Sequence, residues 1–454
     1  MKLRNLGGID YFKFIAALLV VAIHTSPLST FSADADFIFT RVLARTAVPF
    51  FLMVTGYFLL PQYLFEKSMD MSPLCRFLKK TFLLYGVAII IYLPINFYAG
   101  HFQGISIADF LRAFLFDGTF YHLWYLPASI VGVLIIYSIG YKLSFRFLVI
   151  ICFILYLIGL FGDSYYGFIA NSPVGIFYDA IFYVSSYTRN GVFYAPIFLL
   201  MGAWMNTYKR RSKIAIYVIG FSVSILLMTL EGLSLHYLDM QRHDSMYVLL
   251  VPCMVFLFQL IIAWDKAPST RIRQVSTWIY LLHPFMITVV RGIAKITRLE
   301  MLLITNSFVH YTAVCIFSVT ASLILERMLH KLHKKKCYTG RAWIELDKTN
   351  LYKNVDTLRQ LLPAGCELMP AVKANAYGHG AVLISKALAD RGIKSYCVAS
   401  IIEGIELRKN GITGEILILG YTHPDHFPLL RKYRLIQTVV DYSYAMPVSY
   451  THLT

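Results

Sequence analysis

Charge is what this sequence has least of. Only 15% of its 454 residues are Asp, Glu, Lys or Arg, where soluble domains carry about 25%. With 57% hydrophobic residues and a mean hydropathy of +0.60, that shortage points to the bilayer as solvent. Metal-ligand spacings are lacking too. The seven cysteines (Cys75, Cys152, Cys253, Cys315, Cys337, Cys366, Cys397) form no CxxC pair, so neither a zinc site nor a disulfide framework is expected. A signal-peptide cleavage site is missing as well. Asp10 and Lys13 interrupt the first apolar run and more runs follow, which suits a retained first transmembrane helix. Acidic residues number 25 against 42 basic ones, a net charge of +17. The basic residues sit in short clusters between apolar runs, the pattern of cytoplasmic loops rather than of a nucleic-acid-binding face.

What is present is a series of apolar stretches. Spanning a bilayer takes about 20 residues. Ten stretches qualify, near 10–27, 36–60, 81–99, 122–140, 144–162, 191–206, 214–231, 245–264, 275–293 and 306–326. One set of alternate loops holds 21 Lys and Arg, the other 6. This asymmetry predicts a multi-pass plasma-membrane protein with both ends in the cytoplasm.

After Lys336 the pattern changes. Short β-like runs alternate with amphipathic helical ones: strands at Ala342–Leu346, Glu367–Lys373, Ser395–Ser400, Glu415–Leu419 and Ile436–Val440, and helices at Asn350–Leu362, Ala381–Arg391, Ile402–Asn410 and His426–Tyr433. Alternation of this kind predicts a parallel sheet or barrel. A complete (β/α)8 barrel needs about 250 residues, so about half of one is expected. Met446–Thr454 then ends the chain in mid-architecture. That reads as a truncated or mis-joined frame, or as a natural end on a degenerate domain.

The strongest local signal runs from Ala371 to Gly380, AVKANAYGHG. An apolar strand ends at Lys373, a Gly-containing turn follows, and a helix begins. A Lys at a strand end, walled by apolar neighbours, suits a desolvated nucleophile; a lone surface Lys is the plain alternative. The string closely resembles the pyridoxal-phosphate motif of alanine racemases. The likeness extends to Trp343–Asp347 and Leu351–Asn354 upstream, and to Val398, Ala399, Glu403, Glu406–Arg408, Gly411 and Ile416–Gly420 downstream. The resemblance implies pyridoxal 5′-phosphate as cofactor. It implies that Lys373 carries the cofactor and acts as one of two catalytic bases, and that Tyr377 binds its phosphate. His379 reads as structural. In that family the second base is a Tyr given by a partner subunit, and an Arg pairs with the ring nitrogen. Both lie later than any residue here, which puts turnover by this chain in doubt.

In the membrane half, Gly8–Ala16 with His24, Val48–Phe51 with Thr55–Tyr57, His122–Pro127 and Ser276–Pro284 resemble the acyltransferase-3 family. Ionisable residues inside a span are costly and functional by default, so Asp10, Lys13 and His24 are candidates. The resemblance makes His24 the catalytic His. Lys13 stands where the family has an Arg, and Lys lacks the bidentate fork. The plain alternatives are that Lys13 snorkels and His24 caps a helix. His283 and Pro284 read as a helix break lining a cavity, or as a simple kink.

The expected fold is therefore a polytopic α-helical membrane domain of about ten transmembrane helices, followed by a partial α/β (TIM-type) barrel of the alanine racemase class. Its divisions are 1–330 (membrane domain), 331–340 (basic linker), 341–445 (barrel segment) and 446–454 (unassigned tail). The pairing resembles the membrane-bound serine/alanine racemases of vancomycin-resistant bacteria. It implies racemisation of serine or alanine, a membrane part that brings in L-serine, D-serine for cell-wall precursors, and a homodimer through the racemase domain. Two rival readings are a membrane O-acyltransferase acting on a cell-surface glycan and an amino-acid permease.

Overall fold

The computed structural model describes residues 6–100, 106–207, 214–335 and 344–449. The chain divides into two compact units, Met1–His333 and Lys334–Thr454, so the basic linker expected at 331–340 lies mostly outside the described residues.

The first unit is helical. Six of its helices are long and apolar enough to cross a membrane by length and composition: α1 (Gly7–Thr25), α2 (Ala33–Leu59), α3 (Ser72–Tyr98), α4 (Ile214–Tyr237), α5 (Thr270–Thr297) and α6 (Ser307–Leu329). The expectation of ten spans is thereby corrected. The runs 122–140, 144–162, 191–206 and 245–264 fold as Tyr125–Gly140, Phe145–Phe161, Ala195–Thr207 and Leu250–Ala263, helices of 16, 17, 13 and 14 residues. At about 1.5 Å per residue these reach roughly 20–26 Å, short of a hydrocarbon core of about 30 Å. Two things inflated the sequence count. Apolar loop residues such as Met246–Leu249 lengthen a run without joining its helix. The stretch Ala195–Ala203 is apolar because it is buried in protein throughout, which composition cannot tell from burial in lipid.

Local chemistry sets the helix starts. Ser32 accepts a hydrogen bond from the Ala35 N–H at the start of α2, and Ser269 accepts one from the Ile272 N–H at the start of α5, the usual use of a short hydroxyl side chain for orphan amides. The middle of α2 departs from regular α geometry, widening over Ile38–Val42 and tightening over Leu43–Thr46. Local departures of this kind often mark functional positions, and this one carries Arg41 and Arg45. In α5, Pro284 lies inside the helix and has no N–H to give the Tyr280 carbonyl. The His283 Nδ1 lies 2.9 Å from that oxygen and takes its place, so the helix continues.

The second unit has an open sheet of three parallel strands, β1 (Ser395–Val398), β2 (Glu415–Ile418) and β3 (Ile436–Gln437), in the order β1-β2-β3. Ser395 pairs with Glu415 and Leu417 with Ile436. The expectation of a partial barrel is corrected to this small sheet. Of the strand expected at Glu367–Lys373 only a single bridge between Ala371 and Cys397 forms. The strand expected at Ala342–Leu346 lies partly outside the described residues, and its described part is not a strand. A parallel strand exists only through a partner distant in sequence, and strands this short and few cannot close on themselves. Around the sheet run α7 (Lys348–Leu361), α8 (Ala381–Asp390), α9 (Ile401–Lys409), α10 (Phe427–Tyr433) and α11 (Tyr442–Ser449). Their core gathers Val355, Leu388, Tyr396, Ile416 and Leu430. The Tyr444 hydroxyl fixes α11 to the loop after β2, donating to the Thr422 carbonyl at 2.8 Å.

Candidate functional site

In the second unit, the segment before Lys373 lies beside β1. The Val372 N–H donates to the Cys397 carbonyl at 2.8 Å, and the Cys397 N–H to the Pro370 carbonyl at 2.9 Å. Lys373 follows at the end of this extended run and is half-buried. The next four residues, Ala374, Asn375, Ala376 and Tyr377, have φ of 50°, 55°, 51° and 55°. Left-handed backbone costs about 1–2 kcal/mol per L-residue, so this turn needs support. Glu403 supplies it: Oε1 accepts from the Ala374 N–H at 2.9 Å and Oε2 from the Ala399 N–H at 2.7 Å. One carboxylate therefore clasps the loops that follow two neighbouring strand segments. Asn375 Oδ1 accepts from the Ala381 N–H at 2.8 Å, and His379 Nδ1 lies 2.9 Å from the Ala376 carbonyl. Tyr377 is 63% exposed. A cavity of about 610 Å³ between α7 and α8 is mostly apolar and includes His379, but neither Lys373 nor Tyr377.

In the first unit, the three candidates on α1 separate into two places. Asp10 is buried at the start of the helix and accepts from Arg273 Nε at 2.8 Å, Arg273 Nη2 at 3.0 Å and the Ser269 N–H at 3.0 Å. This bidentate pair ties α1 to the start of α5. Lys13 borders a cavity of about 250 Å³ with Lys80, Thr55 and Ser276. His24 lies eleven residues further on, roughly 16 Å along the axis, and borders a second cavity of about 350 Å³. Tyr125 and Tyr280 line both cavities, with ring centroids 5.8 Å apart.

The second cavity holds the residues that sequence reasoning missed. His24 stacks on His283 at 5.3 Å and meets Tyr121 at 4.7 Å; His122 meets His283 edge-on at 5.1 Å. A carbonyl can only accept, so the His283 Nδ1 beside Ile279 and Tyr280 carries the proton. Its buried Nε2 has no partner, and neither ring nitrogen of His122 has one. Arg41, Arg45, Arg189 and Trp124 complete the wall. A signal for the arginines was available: two of them, four residues apart, interrupt an apolar run.

Residues 6–327 match the acyltransferase domain family, and residues 346–449 match the alanine racemase N-terminal domain family. An amino-acid racemase of Enterococcus faecalis is 44% identical over 98% of this chain and 63% of its own length. The serine/alanine racemase of Enterococcus gallinarum is 34% identical over 97% of this chain and 64% of its own length. The chain thus spans just under two thirds of these curated relatives. Among solved structures, the alanine racemase of Clostridium difficile 630 is 37% identical over 25% of this chain and 30% of its own, with a TM-score of 0.24.

Proposed function

The chain belongs to the acyltransferase domain family over residues 6–327 and joins that domain to an alanine racemase N-terminal domain over 346–449; from this we propose that it serves a membrane-bound amino-acid racemase using pyridoxal 5′-phosphate on serine or alanine. The observation that carries the reading is Lys373 at the end of an extended segment beside β1, followed by a left-handed turn clasped by Glu403. The residues fit the cofactor: Lys373 offers an amine on a fixed strand end, and the exposed Tyr377 hydroxyl, four residues on, is free to meet a phosphate. When bound, the cofactor supplies the electron sink that makes an amino acid's α-proton removable.

The rest is the work of this chain. Lys373 holds the cofactor and moves a proton at its Nζ on one face of the substrate. Glu403 is a positioning residue, since it holds the backbone on either side of that site. The base for the opposite face comes from a partner subunit, so the racemase half works as a homodimer. The membrane half brings L-serine to the cytoplasmic side, where both chain ends stand. D-serine so made enters cell-wall precursors and lowers their affinity for glycopeptides.

A direct test treats the purified chain with pyridoxal phosphate, reduces it with borohydride and maps the label by mass spectrometry. The expected result is a pyridoxyl group on Lys373 that is lost in Lys373→Ala. A label scattered over surface lysines at equal yield would sink the assignment. Chiral separation of serine after incubation reports racemisation itself.

A second reading is favoured by the grouping of His24, His122 and His283. Unpartnered imidazoles bordering a cavity suit general acid–base work, so the membrane half is an O-acyltransferase on a cell-surface glycan. Acyl transfer abolished by His24→Ala would support it; transfer that survives the change would dismiss it.

A further inference from the structure

The cavity beside His24 is built for an anion. Three guanidinium groups, Arg41, Arg45 and Arg189, border one space of about 350 Å³. Arg41 and Arg45 share a single carboxylate, Asp244; Arg41 Nε lies 3.5 Å from it and Arg45 Nη2 is hydrogen-bonded to it. Arg189 has no carboxylate within ion-pair distance among the described residues. It donates to the Ser245 hydroxyl at 3.0 Å and lies over the rings of Tyr187 and Trp124 at 4.4 and 5.3 Å. The other carboxylate of this neighbourhood, Asp163, spends one oxygen on the N–H groups of Ser245 and Met246. At least one positive charge stays in excess even with both carboxylates ionised.

Donors are in excess as well. Arg45 is 7% exposed and its Nε has no partner; the Nε of Arg189 has none either. His122 is 2% exposed and both its ring nitrogens are unpartnered. A buried cation without a partner is expensive, and such groups in a membrane domain face a ligand or pathway. Arg41, with 38% of its side chain exposed, gives the cavity an opening to solvent.

The geometry points to a binding site for a ligand's oxyanion, a carboxylate or phosphate, with Arg189 and Arg41 as its grips and His122 as a further hydrogen-bonding partner. Planar guanidinium forks match such groups bidentately. The site does not depend on the racemase chemistry, and its test uses none. L-serine entering here is held by its carboxylate; a phosphorylated or acidic ligand is held by the same residues.

Trp124 stands in the wall beneath Arg189 and gives an optical signal. The full chain in nanodiscs is titrated at constant ionic strength with sodium acetate, inorganic phosphate and L-serine, with serinamide, which lacks the carboxylate, as control. Acetate and phosphate are expected to change the fluorescence saturably, and serinamide is not. The L-serine arm tells the source: tighter binding than acetate marks the amino acid as ligand, weaker binding marks a simpler anion, and both leave the oxyanion as the group held. Arg189→Gln is expected to weaken acetate and phosphate binding about tenfold or more, the worth of one charge-assisted hydrogen bond. Arg41→Gln, partly exposed at the opening, is the second variant should Arg189→Gln fail to fold, and the same direction is expected. No saturable response to any oxyanion, or responses unchanged in a folded arginine variant, would overturn the site.

Discussion

Gly56 and Gly202 stand backbone to backbone: a methyl group built on Gly56 would meet the Leu199 carbonyl oxygen at 1.9 Å, and one on Gly202 would meet the Met53 carbonyl oxygen at 2.0 Å. Close approach through small residues is how helices associate without a hydrophobic drive between them. Neither carbonyl can swing aside like the tip of a side chain. Gly202→Val is therefore expected to cost about 1–3 kcal/mol or more and to lower the thermal midpoint of the detergent-solubilised chain by roughly 2–10 °C. Fluorescence-detected unfolding checks this, and an unchanged midpoint would mean that the two helices can part freely.

Glu403 gives a prediction that needs no enzyme assay. Its two oxygens hold the amides of Ala374 and Ala399. Glu403→Gln keeps the size but leaves only one oxygen to accept, so at least one amide is released. Hydrogen exchange at Ala374 or Ala399 is expected to rise about tenfold or more, with amides in α7 unchanged. Exchange that rises equally throughout the unit would instead report global loosening.

Acid should weaken the loop around His243. Burial, with Arg189 and Arg242 adding to it, pulls this imidazole down to about 4. The unfolded chain then takes up the proton first as pH falls, so stability drops from about pH 6.5 to about pH 4 and levels off below that. Burial opposes ionisation of the neighbouring Asp244, but Arg45 and Arg41 outweigh it and hold its pKa below the ordinary value. That contribution disappears at still lower pH. Asp163 works the other way, because burial raises its pKa. The difference between the parent chain and His243→Gln isolates the imidazole: the variant should lose less stability between pH 6.5 and 4. Parallel curves would remove His243 from the account.

Orientation is open to a simple measurement. The basic residues concentrate in one set of loops, and six long apolar helices are an even number, so both chain ends are expected in the cytoplasm. A reporter joined after residue 335 should register there. A signal from the opposite side would reverse the topology.

Much of the helical half could be read from sequence because an apolar run fixes a helix almost alone. Each run from 10–27 to 306–326 has a helix within it, and the overcount came from Ala195–Thr207 and its like, which are apolar for the sake of protein contacts. The sheet was harder. Ser395–Val398 and Glu415–Ile418 pair with each other, but the run ending at Lys373 makes one bridge, and nothing in its own residues tells how many partners it has. Lys373, Tyr377 and His24 were picked out by resemblance. The clasp by Glu403 and the meeting of Arg189 with Arg41 and Arg45 depend on segments far apart in sequence, so composition and spacing were silent on them.

The open sheet has a consequence for the life of the chain in a cell. β3 pairs on one side only among the described residues, and the exposed Ile436, Val439 and Val440 lie in or just after it. A bare edge of this kind is a template for any extended polypeptide. During synthesis there is a window in which the edge has emerged and no strand covers it. In that window a ribosome-bound chaperone, a neighbouring nascent copy and a protease compete for the same few backbone groups. How much protein reaches the membrane in usable form would then depend on the order of those arrivals as well as on the stability of the finished fold.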